Sequence, residues 1–350
     1  MDGRLSCCPA ASWRMEAGRP RRRREWSRMR RESSMEPRRL VLATLCAAGA
    51  LVLAGASLGR AAPSPALTLA FTPSSDAQRV LATGSTLARM LEVATGYAVR
   101  AEVPTSYAAT IEAMCAGRVD VAFLHPFAYV LARQRCGADV RLVSVRFGVP
   151  YYRSQILYRA GLPVRTVADL RGRRFAFVDP ASASGYLFPA ALLKRHGIDP
   201  TRHFSQVVFA GGHDKVVLAV YTGSVDAGAT FGDEFGNDAR ERVIRLYPNV
   251  KERVRVLVYT DPIPADTVSF RRDLPEEVKA RTALALLRIA QTAPGRETLD
   301  SLYRIHGFAD LDALRTAHGL KLRTLDEFFA PVREVARLLG VDLEELVRAQ

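Results

Sequence analysis

The chain is poor in the residues and motifs that mark most enzyme classes. In the body of the sequence no Gly-x-Ser-x-Gly elbow occurs, so a hydrolase triad lacks its usual start. No Walker A loop occurs, which leaves ATP without its phosphate cradle. The six histidines (His125, His196, His203, His213, His306 and His318) show no metal-ligand spacing such as His-Glu-x-x-His. Cysteine is scarce. Of five residues, Cys7, Cys8 and Cys46 lie in the leader, and only Cys115 and Cys136 remain downstream, without a Cys-x-x-Cys pair. No Lys/Arg run recurs in the body, which argues against nucleic acid as a partner. No nucleophile is paired with a base. The expectation is a protein that is not an enzyme, with no catalytic residues, no metal and no cofactor.

What is present is ordinary globular composition. The 350 residues are 48% hydrophobic and 25% charged, enough for two domains after removal of a leader. The net charge is +14. Residues 1–61 carry 13 Arg and no Lys against 5 acidic residues, or +8, which leaves 14 − 8 = +6 for the rest. That excess suits an anionic ligand without identifying it. Cys115 and Cys136 form one disulfide in an oxidising compartment or stay two buried thiols; sequence alone leaves both open.

Residues 1–34 are Arg-rich, lack a hydrophobic period and are expected to be disordered. Met35 is a plausible true start. A short basic region follows it, then an apolar stretch from Leu40 to Leu58 and the small residues Gly59 and Ala61, so 35–61 is the pattern of a secretory signal peptide. The expected location is periplasmic, with an uncleaved N-terminal anchor as the alternative.

Beyond the leader, short apolar runs alternate with helical patterns. Strands are expected at Leu67–Phe71, Tyr97–Val103, Val119–Leu124 and Val140–Val145, with helices at Asp76–Ala94, Tyr107–Ala116 and Phe127–Arg135 between them. The pattern restarts at Ser154–Tyr158, Arg174–Val178, Gln206–Phe209, Val225–Ala229 and Arg253–Tyr259. After Pro264 it becomes mostly helical. The alternation predicts an α/β fold with a largely parallel sheet in each of two similar units. Lobe 1 is expected to comprise 62–152 plus 260–350, with a helical C-terminal tail, and lobe 2 to comprise 153–259.

Two strand-to-helix junctions stand out. In Val178-Asp179-Pro180-Ala181-Ser182-Ala183-Ser184-Gly185, a strand ends and a helix begins near Ser184. The first N–H groups of a helix lack internal partners and carry partial positive charge, which makes an anion site. The competing account is plain helix capping by serine. At Phe209-Ala210-Gly211-Gly212-His213-Asp214 a second such turn offers His213 as a donor. In the first lobe, Ser75 or Asp76 reads as a cap, and His125 before Pro126 reads as structural.

The segments Asp179–Leu187, Gly211–Asp214 and Val225–Phe231 together resemble the phosphate/phosphite/phosphonate-binding proteins of ABC importers, which carry Asp-Pro-x-Ser-Thr-Ser-Gly and a later Gly-x-His. The resemblance covers roughly residues 67–350. It implies a two-lobed periplasmic binding protein-like fold (type II) with the ligand cleft between the lobes. It also implies a monomer that hands its ligand to membrane permease subunits. By the resemblance, Ser182 and Ser184 donate hydroxyls, Ala183 and Gly185 donate backbone N–H groups, His213 donates from the second junction, and Tyr107 closes from lobe 1. Asp233 or Glu234 stands where some members place a carboxylate. Ala183 replaces the family's threonine, so one hydroxyl is missing. Phosphate, phosphite or methylphosphonate is the implied ligand. A sensor subunit that signals through a separate membrane partner is the alternative function.

Overall fold

Asp76 starts the first long helix, Ala77–Thr95, by accepting from the backbone N–H of Arg79 at 2.7 Å, and Gly96 ends it at φ 73°. Val80, Leu87, Ala88 and Leu91 recur at helical spacing and are buried. Gly84 lies on the same face because nothing larger fits: a Cβ there would stand 2.4 Å from the Phe71 ring. This local pattern repeats through the chain and sets helices against two sheets. The structure is a computed structural model that describes residues 66–341, all within one compact unit. The expectations for the leader and for the last part of the helical C-terminal tail, residues 342–350, lie outside the described residues.

The strands run β1 (Ala66–Phe71), β2 (Ala98–Glu102), β3 (Val121–Leu124), β4 (Asp139–Val145), β5 (Tyr151–Tyr152), β6 (Ser154–Arg159) and β7 (Arg174–Phe177). They continue β8 (Gln206–Phe209), β9 (Ala227–Phe231), β10 (Val254–Tyr259), β11 (Ile263–Pro264), β12 (Thr267–Phe270) and β13 (Gly307–Ala309). One sheet has the order β13-β4-β12-β3-β1-β2 and the other β10-β6-β9-β7-β8. A third, two-stranded pairing joins β5 to β11 antiparallel, with Tyr152 opposite Ile263. The chain leaves the first sheet after β4 and returns through β11 and β12, so this small ribbon is the crossing between the two lobes.

Three features correct the sequence reading. The sheets are mixed: β2, β1 and β3 are parallel, as are β8, β7 and β9, but β12, β13, β6 and β10 pair antiparallel. The chain after Pro264 is not only helical. Strand β12 lies inside the first sheet between β3 and β4. All four of its residues are buried, so it shows no alternation, and four residues are too few to separate a strand from a loop by pattern. The tail helix is also split: a 3-10 turn, Leu325–Phe329, precedes the helix Ala330–Leu338, whose Pro331 sits in the first turn where its missing N–H costs nothing.

Cys115 and Cys136 are bonded to each other and tie the ends of the helices Tyr107–Cys115 and Pro126–Cys136. The carboxyl ends of β1, β3, β7 and β9 face one cleft, which is where ligands sit in open α/β sheets.

Candidate ligand-binding site

The serine-rich junction after β7 is built mostly by internal hydrogen bonds. The Asp179 carboxylate accepts from the Ala181 N–H at 2.8 Å. The Ser182 hydroxyl oxygen accepts from the Gly185 N–H at 3.0 Å, so it caps the turn. The N–H groups of Tyr186 and Leu187 both donate to the Ser182 carbonyl, at 3.1 and 3.0 Å, which widens the turn Ala183–Leu187 to a π-helix before the helix Phe188–Arg195. Gly185 is required by packing: a Cβ would meet Val178 at 2.4 Å and the Ser182 hydroxyl at 2.8 Å. Of this segment, Ser184 alone lines the interlobe cavity.

That cavity measures about 20 Å³, room for a compact group and not for an extended chain. His213 enters it from the second junction. Its ring Nδ1 accepts from the Phe231 backbone N–H at 3.3 Å and lies 2.7 Å from the Thr230 hydroxyl. Nδ1 is therefore an acceptor, and the neutral ring carries its proton on Nε2. Burial holds His213 well below the usual imidazole range, and the charges of Arg242 and His125 add to this. A fixed neutral N–H donor results. The His213 backbone N–H also donates to the Ser74 carbonyl of the opposite lobe at 3.0 Å, so the described state is a closed one.

The charges are the main surprise. Asp266, 4% exposed, accepts from His125 Nδ1 at 2.8 Å and pairs with the guanidinium of Arg146, itself 6% exposed. Burial alone would raise the Asp266 carboxyl, but Arg146 and His125 outweigh it and hold it below the carboxylate range. Both carboxylate oxygens are thus engaged. Arg146 Nη1 and His125 Nε2 remain buried without a partner in the protein. Arg242 joins them from lobe 2. Its guanidinium lies over the Phe231 ring at 4.9 Å, and Nη1 is buried and unpartnered. Desolvation, then repulsion from Arg79, pushes its pKa down to about 10.

The seven residues proposed from sequence are therefore spread. Ser184 and His213 line the cavity. Ser182, Ala183 and Gly185 form the buried turn that aims Ser184. Tyr107 is buried behind His125, with ring centroids 5.4 Å apart. Its hydroxyl has no partner in the protein, and burial followed by the Asp179 charge keeps it protonated. Asp233 is a correction. Its carboxylate accepts from the N–H groups of Phe235 and Asn237, at 2.9 and 3.1 Å, and so holds its own loop. Glu234 pairs outward with Arg153 at 3.3 Å. Asn237, the residue that loop delivers to the cavity, was not singled out. Nor were Arg146, Arg242 and Asp266. Arg146 carries a faint signal, an arginine directly after the apolar strand β4. Arg242 carries none.

With this geometry in hand, comparison with known proteins gives a consistent answer. The family model described as ABC transporter, phosphonate, periplasmic substrate-binding protein matches residues 69–314. The chain belongs to this family. A curated relative, the phosphate-import protein PhnD of Mycolicibacterium smegmatis, is 36% identical over 175 residues, covering 47% of this chain. The match spans about half (54%) of that relative's length. Two solved structures share the fold. A binding protein component of an ABC phosphonate transporter from Pseudomonas aeruginosa has TM-score 0.64 at 21% identity, covering 82% of this chain and 100% of its own. PhnD1 from Prochlorococcus marinus, in complex with methylphosphonate, has TM-score 0.67 at 18% identity, covering 79% and 99%. The phosphonate-binding family consists of solute-binding transporter components and not of enzymes, as expected from the missing catalytic motifs. Among the described residues no helix is long and apolar enough to cross a membrane.

Proposed function

We propose that this chain captures a small phosphorus oxyanion that bears no cationic group, such as phosphate, phosphite or methylphosphonate. In this reading the lobes close on the ligand outside the cytoplasm and present it, as a monomer, to the permease of an ABC importer. The charge inventory of the cavity carries the reading. Two guanidiniums that line it each keep a buried nitrogen without a partner in the protein, and the one carboxylate among the lining residues is already engaged by Arg146 and His125. An oxyanion would satisfy those buried donors; an ammonium group would meet two cations and no free carboxylate. Ser184 and the Nε2–H of His213 add neutral donors. The 36% identity to a phosphate-import protein points the same way. No observation favours the signalling alternative.

Calorimetry with phosphate, phosphite, methylphosphonate and 2-aminoethylphosphonate tests this. At least one of the first three is expected to bind in the micromolar range or tighter, about −8 kcal/mol. The aminated ligand is expected to bind at least about tenfold more weakly, a difference of about 1.4 kcal/mol. No heat from the first three, or a clear preference for the amine, overturns the reading.

A further inference from the structure

The inner cavity shares a wall with a second chamber of about 200 Å³, bordered by Arg242 and Phe231 on one lobe and by Arg79 and Arg304 on the other. The acidic residues on its rim have partners. Asp238 is held by Arg240 at 2.7 Å and by Gln155 at 2.9 Å. Glu241 pairs with Lys251. Asp300 lies 3.3 Å from His306 and 3.9 Å from Arg304. Two of the three arginines, Arg79 and Arg242, are less satisfied. Arg79 is exposed and reaches the Ser75 hydroxyl at 3.5 Å, Arg242 Nη1 has no partner in the protein, and Arg304 pairs at 3.9 Å with Asp300 and lies over the Phe147 ring at 5.6 Å. Arg304 is also held at φ 55°, a left-handed conformation that a non-glycine residue adopts at a cost.

Arg79 and Arg242 come from opposite lobes and border the chamber together; Arg79 lowers the pKa of Arg242 and the Asp214 carboxylate opposes that shift. We propose that the outer chamber is a second anion subsite. It takes a carboxylate or second phosphoryl group on a ligand whose phosphorus end sits in the inner cavity. The ligand class is a phosphonocarboxylate or a diphosphate, and its distal charge is held between Arg79 of one lobe and Arg242 of the other. This inference rests on the inner cavity being the phosphorus site.

Calorimetry with methylphosphonate, phosphonoacetate and pyrophosphate on the wild type and on Arg79→Gln separates the two claims. At least one two-anion ligand is expected to bind as tightly as methylphosphonate or tighter. Arg79→Gln is expected to weaken that ligand about tenfold, one charge-assisted contact, and to move methylphosphonate by less than about twofold. A response to phosphonoacetate alone assigns the subsite to carboxylates, and a response to pyrophosphate alone assigns it to phosphoryl groups; both support a subsite. If methylphosphonate binds and both larger ligands are about 100-fold weaker, the subsite is refuted while the inner reading stands. An equal effect of Arg79→Gln on all three ligands also refutes it. If neither methylphosphonate, phosphate nor phosphite binds, the inner reading fails and this one with it.

Discussion

Replacing Arg242 with methionine should weaken ligand binding without destabilising the free protein. Most buried arginines would behave differently, because truncation leaves a counter-ion stranded. Arg242 is half-buried, forms no ion pair within 4.0 Å among the described residues, and leaves Nη1 unpartnered; desolvation and Arg79 repulsion outweigh the nearby Asp214 charge and depress its pKa to about 10. The free protein therefore holds this charge at a cost that an oxyanion offsets. Loss of one hydrogen bond to a charged group costs about 1.5–3 kcal/mol, or roughly 10- to 150-fold in Kd. Methionine keeps an unbranched apolar stem against the Phe231 ring. Calorimetry gives the affinity, and a thermal melt without ligand gives the stability. The expected pair of results is a weaker Kd with an unchanged or higher Tm. A Tm several degrees lower with wild-type affinity would mean that Arg242 is a structural cation, and the charge argument would be wrong.

Four further outcomes are expected. Ser184→Ala should weaken binding at least about tenfold, whereas Ser75→Ala, which lies outside the cavity, should stay within about twofold; equal losses would misplace the cradle. Asp266→Asn removes the buried partner of Arg146 and His125 and should cost about 3–5 kcal/mol in denaturant unfolding, so a cost below about 1 kcal/mol would contradict the buried pair. Stability should fall as pH drops below about 6.5, because the unfolded chain takes up a proton at His213 that the folded chain refuses; His213→Gln should flatten that slope, and an unchanged slope would assign it elsewhere. Replacing Cys115 and Cys136 by alanine opens a loop with sequence separation 21 and should cost about 3 kcal/mol with no change in Kd.

The ends of the fold that sequence could read are those written in local chemistry. Asp76 reads as a helix cap, and the structure uses it that way. The strand-to-helix junctions near Ser184 and His213 were legible for the same reason. What escaped depends on distant partners. Strand β12 is a strand because β3 and β4 flank it, 120 and more residues earlier in the chain. Arg146 follows an apolar strand, but nothing in the sequence says what it pairs with until Asp266 is placed beside it. Asp233 was a reasonable carboxylate to expect in the cleft, but its own loop claims it through Phe235 and Asn237. Ser182 shows that capping and ligand-cradle readings of one motif are compatible: it caps the turn, and Ser184 beside it reaches the cavity.

The most direct test is a crystal structure grown with saturating phosphate or methylphosphonate. The account predicts the phosphorus atom in the interlobe cavity, with its oxygens in hydrogen-bond reach of Arg146 Nη1, Arg242 Nη1, His213 Nε2 and the Ser184 hydroxyl. Density for the anion at the Asp233 loop, or a closed cleft with those guanidiniums still unpartnered under saturating ligand, would contradict it.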